Sequence, residues 1–262
     1  MTYTFANTTS NVIITGTCAL TSAGQTFGII IFDGVGETVT LQDAILVDAG
    51  FGLFAPRNGT IDTDSFNVTT GIFFSNYANV RTITLRNSTV MCAGIGPSIV
   101  WNYSNTTNLT FNPNTSTIIL DNKASATKTF VGGGLTYNNL TITGDDVVIT
   151  GSNTFNVLAL NNGGEAEGTL IDDGTTQTVN DITTTASDGN IAILTSDSAG
   201  NAATISKASG IISLDFMSIK DITVTGGARW YAGANSVDVS GNTGWFFISP
   251  NSRQNDYLVL LH

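Results

Sequence analysis

The chain has 262 residues, a length that suits one large all-β domain and forces no division into two. Its net charge is −11, and its nine Lys and Arg residues are scattered, which argues against binding to nucleic acid or to an anionic membrane surface. Hydrophobic residues make up 41%, enough for a core, whereas only 11% are charged, so hydroxyl and amide groups must solvate most of the surface.

The composition predicts strands and turns with little helix. The chain contains 41 Thr, 26 Asn and 28 Gly, but only 3 Glu, 4 Lys and 4 Gln. Threonine suits a pleated strand because its Cβ is branched, and Asn and Gly suit turns because both tolerate a positive φ. The polar residues that favour helices are almost missing.

In chain order, the first half predicts short strands separated by turns. Residues 2–20 give two strands, and the apolar segment Phe27–Phe32 gives a third that should end at a turn at Asp33–Gly34. Alternating segments follow as far as Thr89, and residues 104–122 predict two strands around Asn112–Asn114.

A repeated pattern runs through the chain, in which Asn or Asp is followed by Leu or Ile and then by Thr. The segments that carry it are Asn108–Phe111, Asn139–Ile142, Asp181–Thr184 and Asp221–Val224, and Thr82–Leu85 is similar. A unit of one strand cannot bury its apolar residues alone and must stack on copies of itself. We therefore expect equivalent residues to form ladders along a solenoid.

The spacing of the apolar residues indicates the type of solenoid. Successive gaps are 26, 31, 18, 24 and 40 residues between Ile83, Leu109, Leu140, Leu158, Ile182 and Ile222. A mean coil of about two dozen residues favours a right-handed parallel β-helix over hexapeptide repeats, whose period is much shorter. The alternative is a β-sandwich or jelly roll, which would also have short strands and turns rich in Gly and Asn.

The sequence predicts two parts, with β-helix coils in residues 1–225 and a C-terminal cap and assembly tail in residues 226–262. Two Trp, one Tyr and two Phe fall within Trp230–Phe247, and such large side chains can cover the last coil. The apolar segment Tyr257–Leu261 would favour aggregation if it were bare, so we expect it to lie on the body or on a neighbouring subunit. The interface candidates are Trp101, Tyr103, Trp230, Tyr231, Trp245, Tyr257, Leu258, Val259, Leu260 and Leu261.

Catalytic and metal-binding residues are scarce. The only histidine is His262, the last residue, which is a poor position for a catalytic imidazole. We expect Cys18 and Cys92 to be reduced and buried, with a single disulfide as the alternative. No cofactor and no metal site are predicted, and calcium held by Asp-rich loops is the one cofactor alternative.

Carboxylate pairs are the alternative route to chemistry, because β-helical glycosidases and lyases use them. The candidates are Asp145–Asp146, Asp172–Asp173, Asp62 with Asp64, and Glu165 with Glu167. Adjacent residues of a strand point to opposite faces, and most of these Asp residues stand beside Gly in segments typical of turns. We therefore expect turn formation and no enzymatic activity.

The segment Trp230–Phe247, WYAGANSVDVSGNTGWFF, and the N-L-T coils resemble the β-helical proteins of phage virions and bacterial surfaces. The resemblance implies a parallel β-helix in a virion or cell-surface setting. The Gly-His-Gly and Arg-x-Pro-x-x-Arg elements of polygalacturonases and pectate lyases are missing from the sequence. No catalytic residue is therefore carried over from the resemblance.

The sequence favours a structural protein on the outside of a bacteriophage virion, assembled in the host cytoplasm as a head-decoration, tail-spike or fibre subunit. The expected partners are copies of the chain in a trimer, other virion proteins, and a host-surface glycan as a further option. We expect no nucleic acid and no membrane insertion. The alternatives are a carbohydrate-binding adhesin of a cell surface and a polysaccharide depolymerase.

Overall fold

The structure is a computed structural model that describes residues 2–3, 11–96, 99–122, 127–144, 146–164 and 168–250. Within these ranges the chain is all-β without a helix, and its strands stack as a parallel β-solenoid of about 10 turns. No helix capable of crossing a membrane occurs there. The solenoid prediction is confirmed, and the sandwich alternative is wrong, because sandwich sheets are antiparallel whereas the strand ladders described here are parallel.

The strands, numbered in chain order, form three sheets in the described ranges. The first, sheet A, has fifteen strands: β1 (Thr2–Tyr3), β2 (Asn11–Ile14), β3 (Cys18–Leu20), β5 (Ile29–Leu41), β7 (Leu53–Asp62), β9 (Ile72–Phe74), β10 (Arg81–Thr84), β12 (Ile99–Asn102), β13 (Leu109–Asn112), β15 (Lys128–Val131), β17 (Val147–Thr150), β19 (Thr169–Ile171), β21 (Ala192–Ser196), β24 (Met217–Lys220) and β27 (Val237–Ser240).

The second, sheet B, has ten strands: β4 (Thr26–Phe27), β6 (Ile45–Val47), β8 (Val68–Thr70), β11 (Thr89–Cys92), β14 (Thr117–Leu120), β16 (Thr136–Ile142), β18 (Thr154–Leu160), β20 (Thr176–Thr184), β22 (Ala203–Lys207) and β25 (Ile222–Gly226). A short third sheet joins β23 (Ile211–Ser213), β26 (Arg229–Tyr231) and β28 (Trp245–Phe246). Each turn of the solenoid therefore adds one strand to more than one sheet.

Apolar side chains stack along sheet B as the repeated pattern predicted. Leu140 pairs with Leu158, which pairs with Ile182, and all three are buried. Ile83 and Leu109 were expected in the same column, but Ile83 lies opposite Phe111 in a branch of sheet A. Leu109 lies opposite Arg81. A shared local pattern therefore does not guarantee a shared ladder, because each turn contains several strands.

The turn expected at Asp33–Gly34 is wrong, because these residues lie within the 13-residue strand β5. The register with β7 shifts between Phe32 and Asp33 and again between Asp33 and Thr38. Residues 34–37 of β5 lie opposite Gly59 alone, so the ladder is irregular there, and it resumes in parallel at Thr38 and Thr60. Gly59 of β7 fits against this segment with φ +70°, where an added Cβ would lie 2.2 Å from the Gly34 carbonyl oxygen.

A column of aromatic rings fills the core of the first half. Neighbouring centroids lie between 4.3 and 5.7 Å apart along Phe32, Phe54, Phe73, Trp101 and Phe130. Phe54, Phe73, Trp101 and Phe130 are successive register partners on consecutive strands of sheet A. Phe32 lies on the same inward face of β5, two residues after Ile30, which is the partner of Phe54. Burial of large rings stabilises these coils without any helix.

The coils continue into the segment predicted as a cap. The strand Arg229–Tyr231 pairs in parallel with Ile211–Ser213, and Trp245–Phe246 pairs with Arg229–Tyr231. The Trp230 and Trp245 rings meet edge to face at 5.5 Å. The aromatic residues of this region are therefore stacked within the last turns of the solenoid.

Candidate functional site

The structure places the aromatic interface candidates at different depths. Trp101 and Tyr103 have 0% of their surface exposed, and Trp230 has 2%. A side chain that is fully covered within one chain cannot contact a second subunit, so the expectation for these three is corrected to core packing. Tyr231 and Trp245 are half-buried and keep some outward surface.

Hydrogen bonds accommodate the polar atoms of two amphipathic rings in the core, those of Trp101 and Tyr137. The indole Nε1 of Trp101 donates to the Tyr137 hydroxyl at 3.3 Å, and that hydroxyl donates to the Gly132 carbonyl at 2.7 Å. Burial, the largest cause, raises the pKa of Tyr137 well above its ordinary value. Both rings are therefore held as neutral core groups.

The remaining interface candidates, Tyr257, Leu258, Val259, Leu260 and Leu261, lie outside the described residues, as does His262. Their expected role as an assembly segment stays a prediction. Among the carboxylates, Asp145, Glu165 and Glu167 also lie outside the described residues. Asp146 is described, and its carboxylate accepts a hydrogen bond from the Gly168 amide at 2.7 Å.

The outer face of sheet A carries an apolar stripe that the sequence analysis missed. Seven consecutive strands of the sheet each place one half-buried residue on this face, and six of the seven are aliphatic. The members of the sheet A stripe are Ile29, Leu53, Ile72, Ile99, Thr129, Val148 and Leu170. With strands ~4.8 Å apart, seven strands make a stripe about 29 Å long.

The stripe consists of two runs in register. Ile29 pairs with Leu53 and Leu53 with Ile72, and the second run starts at Ile99, whose strand contains a register shift. Each member alternates with an inward residue of its strand, as Leu53 does with Phe54, which has no exposed surface. The signal in the sequence was the apolar residue beside each buried one, but only the register shows that these residues align.

A neighbouring outer face of the solenoid carries threonines, in contrast to the aliphatic residues of the sheet A stripe. Thr38, Thr60, Thr82 and Thr110 pair in register along four consecutive strands. These threonines are exposed or half-buried and present a polar residue type on this face. The sheet A stripe is therefore more apolar than this neighbouring face, and contiguous apolar surface is typical of interaction sites.

An exposed apolar knob stands at a corner between the sheets. Phe51 is 65% exposed and Ile95 is 51% exposed. The Ile95 amide donates to the Gly50 carbonyl at 3.1 Å, which joins the two loops that carry these residues. The buried Lys128 ammonium donates to the Ile95 carbonyl at 2.9 Å, which ties this loop to the strand β15. Phe51 and Ile95 therefore form a second patch of exposed apolar surface.

The guanidinium group of Arg86 contacts both carboxylates of the pair Asp62 and Asp64. Arg86 forms two hydrogen bonds to Asp62, at 2.8 and 2.6 Å, and its Nε lies 3.5 Å from an Asp64 oxygen. The hydrogen bond from Arg86 is the largest cause that lowers the pKa of Asp62. A carboxyl group held ionised in this way is a poor general acid, so this pair does not support glycoside hydrolysis.

Three carboxylates converge at another turn. Oxygens of Asp172, Asp173 and Asp197 all lie within 4.8 Å of one another. The Asp173 amide donates to Asp197 at 2.8 Å, which links the turns of adjacent coils. Burial, followed by the charges of Asp197 and Asp173, raises the pKa of Asp172. These contacts fit the turn-forming role that the sequence predicted for Asp172–Asp173.

Both cysteines are free and buried, in agreement with the preferred prediction. Burial raises the pKa of Cys92 to about 12, so its thiol stays protonated near neutral pH. The thiolate is the reactive form, and Cys92 is therefore a core residue without nucleophilic character.

Comparisons with known proteins return no match: no family model, no curated protein and no solved structure is significantly similar to the chain.

Proposed function

We propose that the chain is a non-enzymatic structural protein on the outside of a bacteriophage virion, where it acts by contact with copies of itself and with neighbouring virion proteins. The observation that carries this proposal is the sheet A stripe. A long apolar stripe on a weakly charged solenoid is suited to side-by-side packing.

The dimensions of the solenoid support lateral assembly. About 10 turns with strands ~4.8 Å apart give a rod of roughly 48 Å, and the stripe follows more than half of that length. Rods that associate along such a line bury aliphatic side chains from every turn they share. Closed assembly around one axis, as in a trimer, places the same stripe of each copy against its neighbours.

The overall composition is consistent with an exposed particle protein. Charged residues are 11% of the chain, and threonine hydroxyls cover the face formed by Thr38, Thr60, Thr82 and Thr110. The N-L-T coils and the segment Trp230–Phe247 also resemble virion β-helices. A head-decoration subunit and a tail-spike or fibre subunit both fit these features.

The test is the native mass of the purified chain by light scattering, followed by co-sedimentation with purified phage shells. A trimer that sediments with shells is the expected result. Leu53→Lys should convert the trimer into monomers, since it places an ammonium group in the stripe. Thr60→Lys is the matched control, because Thr60 lies on the same strand as Leu53 but pairs with the threonines Thr38 and Thr82.

A wild-type chain that is monomeric and does not sediment with shells would overturn the proposal. In that case a carbohydrate-binding adhesin becomes the better hypothesis, and a screen of immobilised bacterial polysaccharides would be the next measurement. Trimers that survive Leu53→Lys would show that assembly uses a different surface.

A further inference from the structure

Sheet B forks at the nine-residue strand β20. The first part of this strand pairs with β22, through Thr176 with Thr204 and Thr178 with Ser206. Its last four residues, Asp181–Thr184, pair with β18 on one side only. After β22 the chain turns and forms β23, which joins the third sheet and not β20.

A cleft of about 610 Å³ lies where the two strands separate. Asp181–Thr184 line one wall, and Ile211 and Ser213 of β23 line the other. Two buried core residues, Ile182 and Leu214, reach the cleft, and Ile211 on its wall is 55% exposed. The cleft therefore exposes apolar surface between two strand edges.

The β23 wall presents backbone hydrogen-bonding groups. Gly210 accepts from the Arg229 amide at 2.9 Å, and the Leu214 amide donates to the Tyr231 carbonyl at 2.8 Å, so both face β26. Alternate residues of a parallel strand bond to opposite sides, which turns the peptide groups of Ile211 and Ser213 toward the cleft. At the fork, the Lys207 ammonium donates to the Asn180 carbonyl, where a side chain takes the place of a strand partner.

We propose that the segment Tyr257–Leu261 of the same chain enters this cleft as an added β-strand. The segment consists of five apolar residues, Tyr-Leu-Val-Leu-Leu, without a charge, a glycine or a proline. As a strand it directs side chains alternately inward and outward, and its peptide groups can bond to both strand edges. Open strand edges are the places where proteins accept a further strand.

The position of the chain supports an occupant from the same molecule. The last described strand, β28, is in the same sheet as β23, with β26 between them. The cleft is therefore about three strand spacings from β28, or ~14 Å. Residues 247–256 connect the two, and ten residues can span up to ~33 Å. The high effective concentration of a tethered segment favours this occupant over a second copy.

The direct test is a disulfide between the cleft and the segment. Ser213→Cys is combined in turn with Leu258→Cys and Val259→Cys, which sample both faces of the added strand, and the proteins are oxidised under non-reducing conditions. A rapid intramolecular bond in one pair, seen as a faster-migrating monomer, is expected. Ser240→Cys with the same partners is the control, because Ser240 is exposed on sheet A.

Absence of a bond beyond the control rate in both pairs would overturn the proposal. A disulfide-linked dimer would overturn it as well, since it would show that the segment enters the cleft of a second copy. The buried cysteines Cys18 and Cys92 provide little background, because burial raises the pKa of each thiol.

Hydrogen exchange gives a second, independent measurement. Deletion of residues 257–262 should speed exchange of the Ile211 and Ser213 amides at least tenfold, while the amides of Thr117–Leu120 in sheet B should not change. Equal exchange in the full and shortened chains would contradict strand addition. Neither measurement depends on trimer formation or shell binding, so this proposal and the proposed function can fail separately.

Discussion

The rings of Phe73 and Trp101 stack inside the solenoid with centroids 4.3 Å apart and planes 18° apart. The two residues are opposite one another in the parallel ladder between β9 and β12. A shared register, and not proximity in sequence, brings the rings together. Trp101 also contacts Tyr103, Phe130 and Tyr137, which makes it the centre of the aromatic core.

Replacement of this central ring should have a large effect. Trp101→Ala removes ring contacts to both neighbouring coils and leaves a cavity, and we expect it to lower the free energy of unfolding by about 3–5 kcal/mol. Trp245→Ala should cost less, because Trp245 is half-buried and its ring packs against Trp230 in the last turns of the solenoid. Urea denaturation of both variants tests the order, and a milder effect at Trp101 than at Trp245 would contradict the central role of Trp101.

The sequence predicted the architecture because the pattern of Leu140, Leu158 and Ile182 reflects a real ladder. It could not separate that ladder from the one that contains Ile83, since both use the same alternation of apolar and polar residues. The burial of Trp101 was also out of reach, because the register shift between Ile99 and Trp101 changes which residues of β12 face inward.

The proposed interaction surface was less predictable than the fold. Each member of the sheet A stripe is an ordinary aliphatic residue beside a buried one, as Leu53 is beside Phe54. Its significance depends on alignment with Ile29 and Ile72 in other turns, which lie about two dozen residues away in the sequence. Large aromatic residues were the more obvious interface candidates, yet the interior needed their volume to fill the space between the sheets.

Leu140→Asp should prevent folding. Leu140 has no exposed surface and lies between Ile118 and Leu158, so the variant would place a carboxylate in the apolar column without a partner. Thr141→Asp is the matched control, because Thr141 is the next residue and points outward. Circular dichroism and soluble yield distinguish the two, and a soluble, native-like Leu140→Asp protein would contradict the inward position.

Arg81 should be needed for the loops of the first half. It is buried, and its five N–H groups donate to the hydroxyl and carbonyl of Ser75 and to the carbonyls of Asn79, Asn105 and Thr107 at 2.6–3.1 Å. An arginine fork satisfies these acceptors, which a single ammonium group cannot do.

Arg81→Lys should therefore lower the free energy of unfolding by about 1–3 kcal/mol or more, because buried carbonyl groups lose their donors. Arg86→Gln is the comparison, since Arg86 is an exposed arginine that binds Asp62 and should matter less. Thermal unfolding followed by circular dichroism measures both. Equal midpoints for Arg81→Lys and the wild type would show that the loops do not depend on the fork.

The carboxylate cluster gives a pH-dependent prediction. Because burial and its neighbours raise the pKa of Asp172 in the folded state, the folded protein binds a proton at this group more tightly than the unfolded chain does. Ionised Asp172 therefore destabilises the fold near neutral pH. As the pH falls through the raised pKa toward the unfolded value of about 3.9, this destabilisation is relieved.

Asp172→Asn should consequently raise the unfolding midpoint at about pH 7, and its advantage should shrink at about pH 4, where more of the wild-type carboxyl is protonated. Asp188→Asn, at an exposed position, is the control and should give no comparable gain. Thermal unfolding in the presence of a chelator, at both pH values, measures the difference without interference from stray divalent cations. A gain that is the same at both values, or a loss of stability at neutral pH, would show that Asp172 stabilises its turn as a carboxylate, and that its hydrogen bonds outweigh repulsion from Asp173 and Asp197.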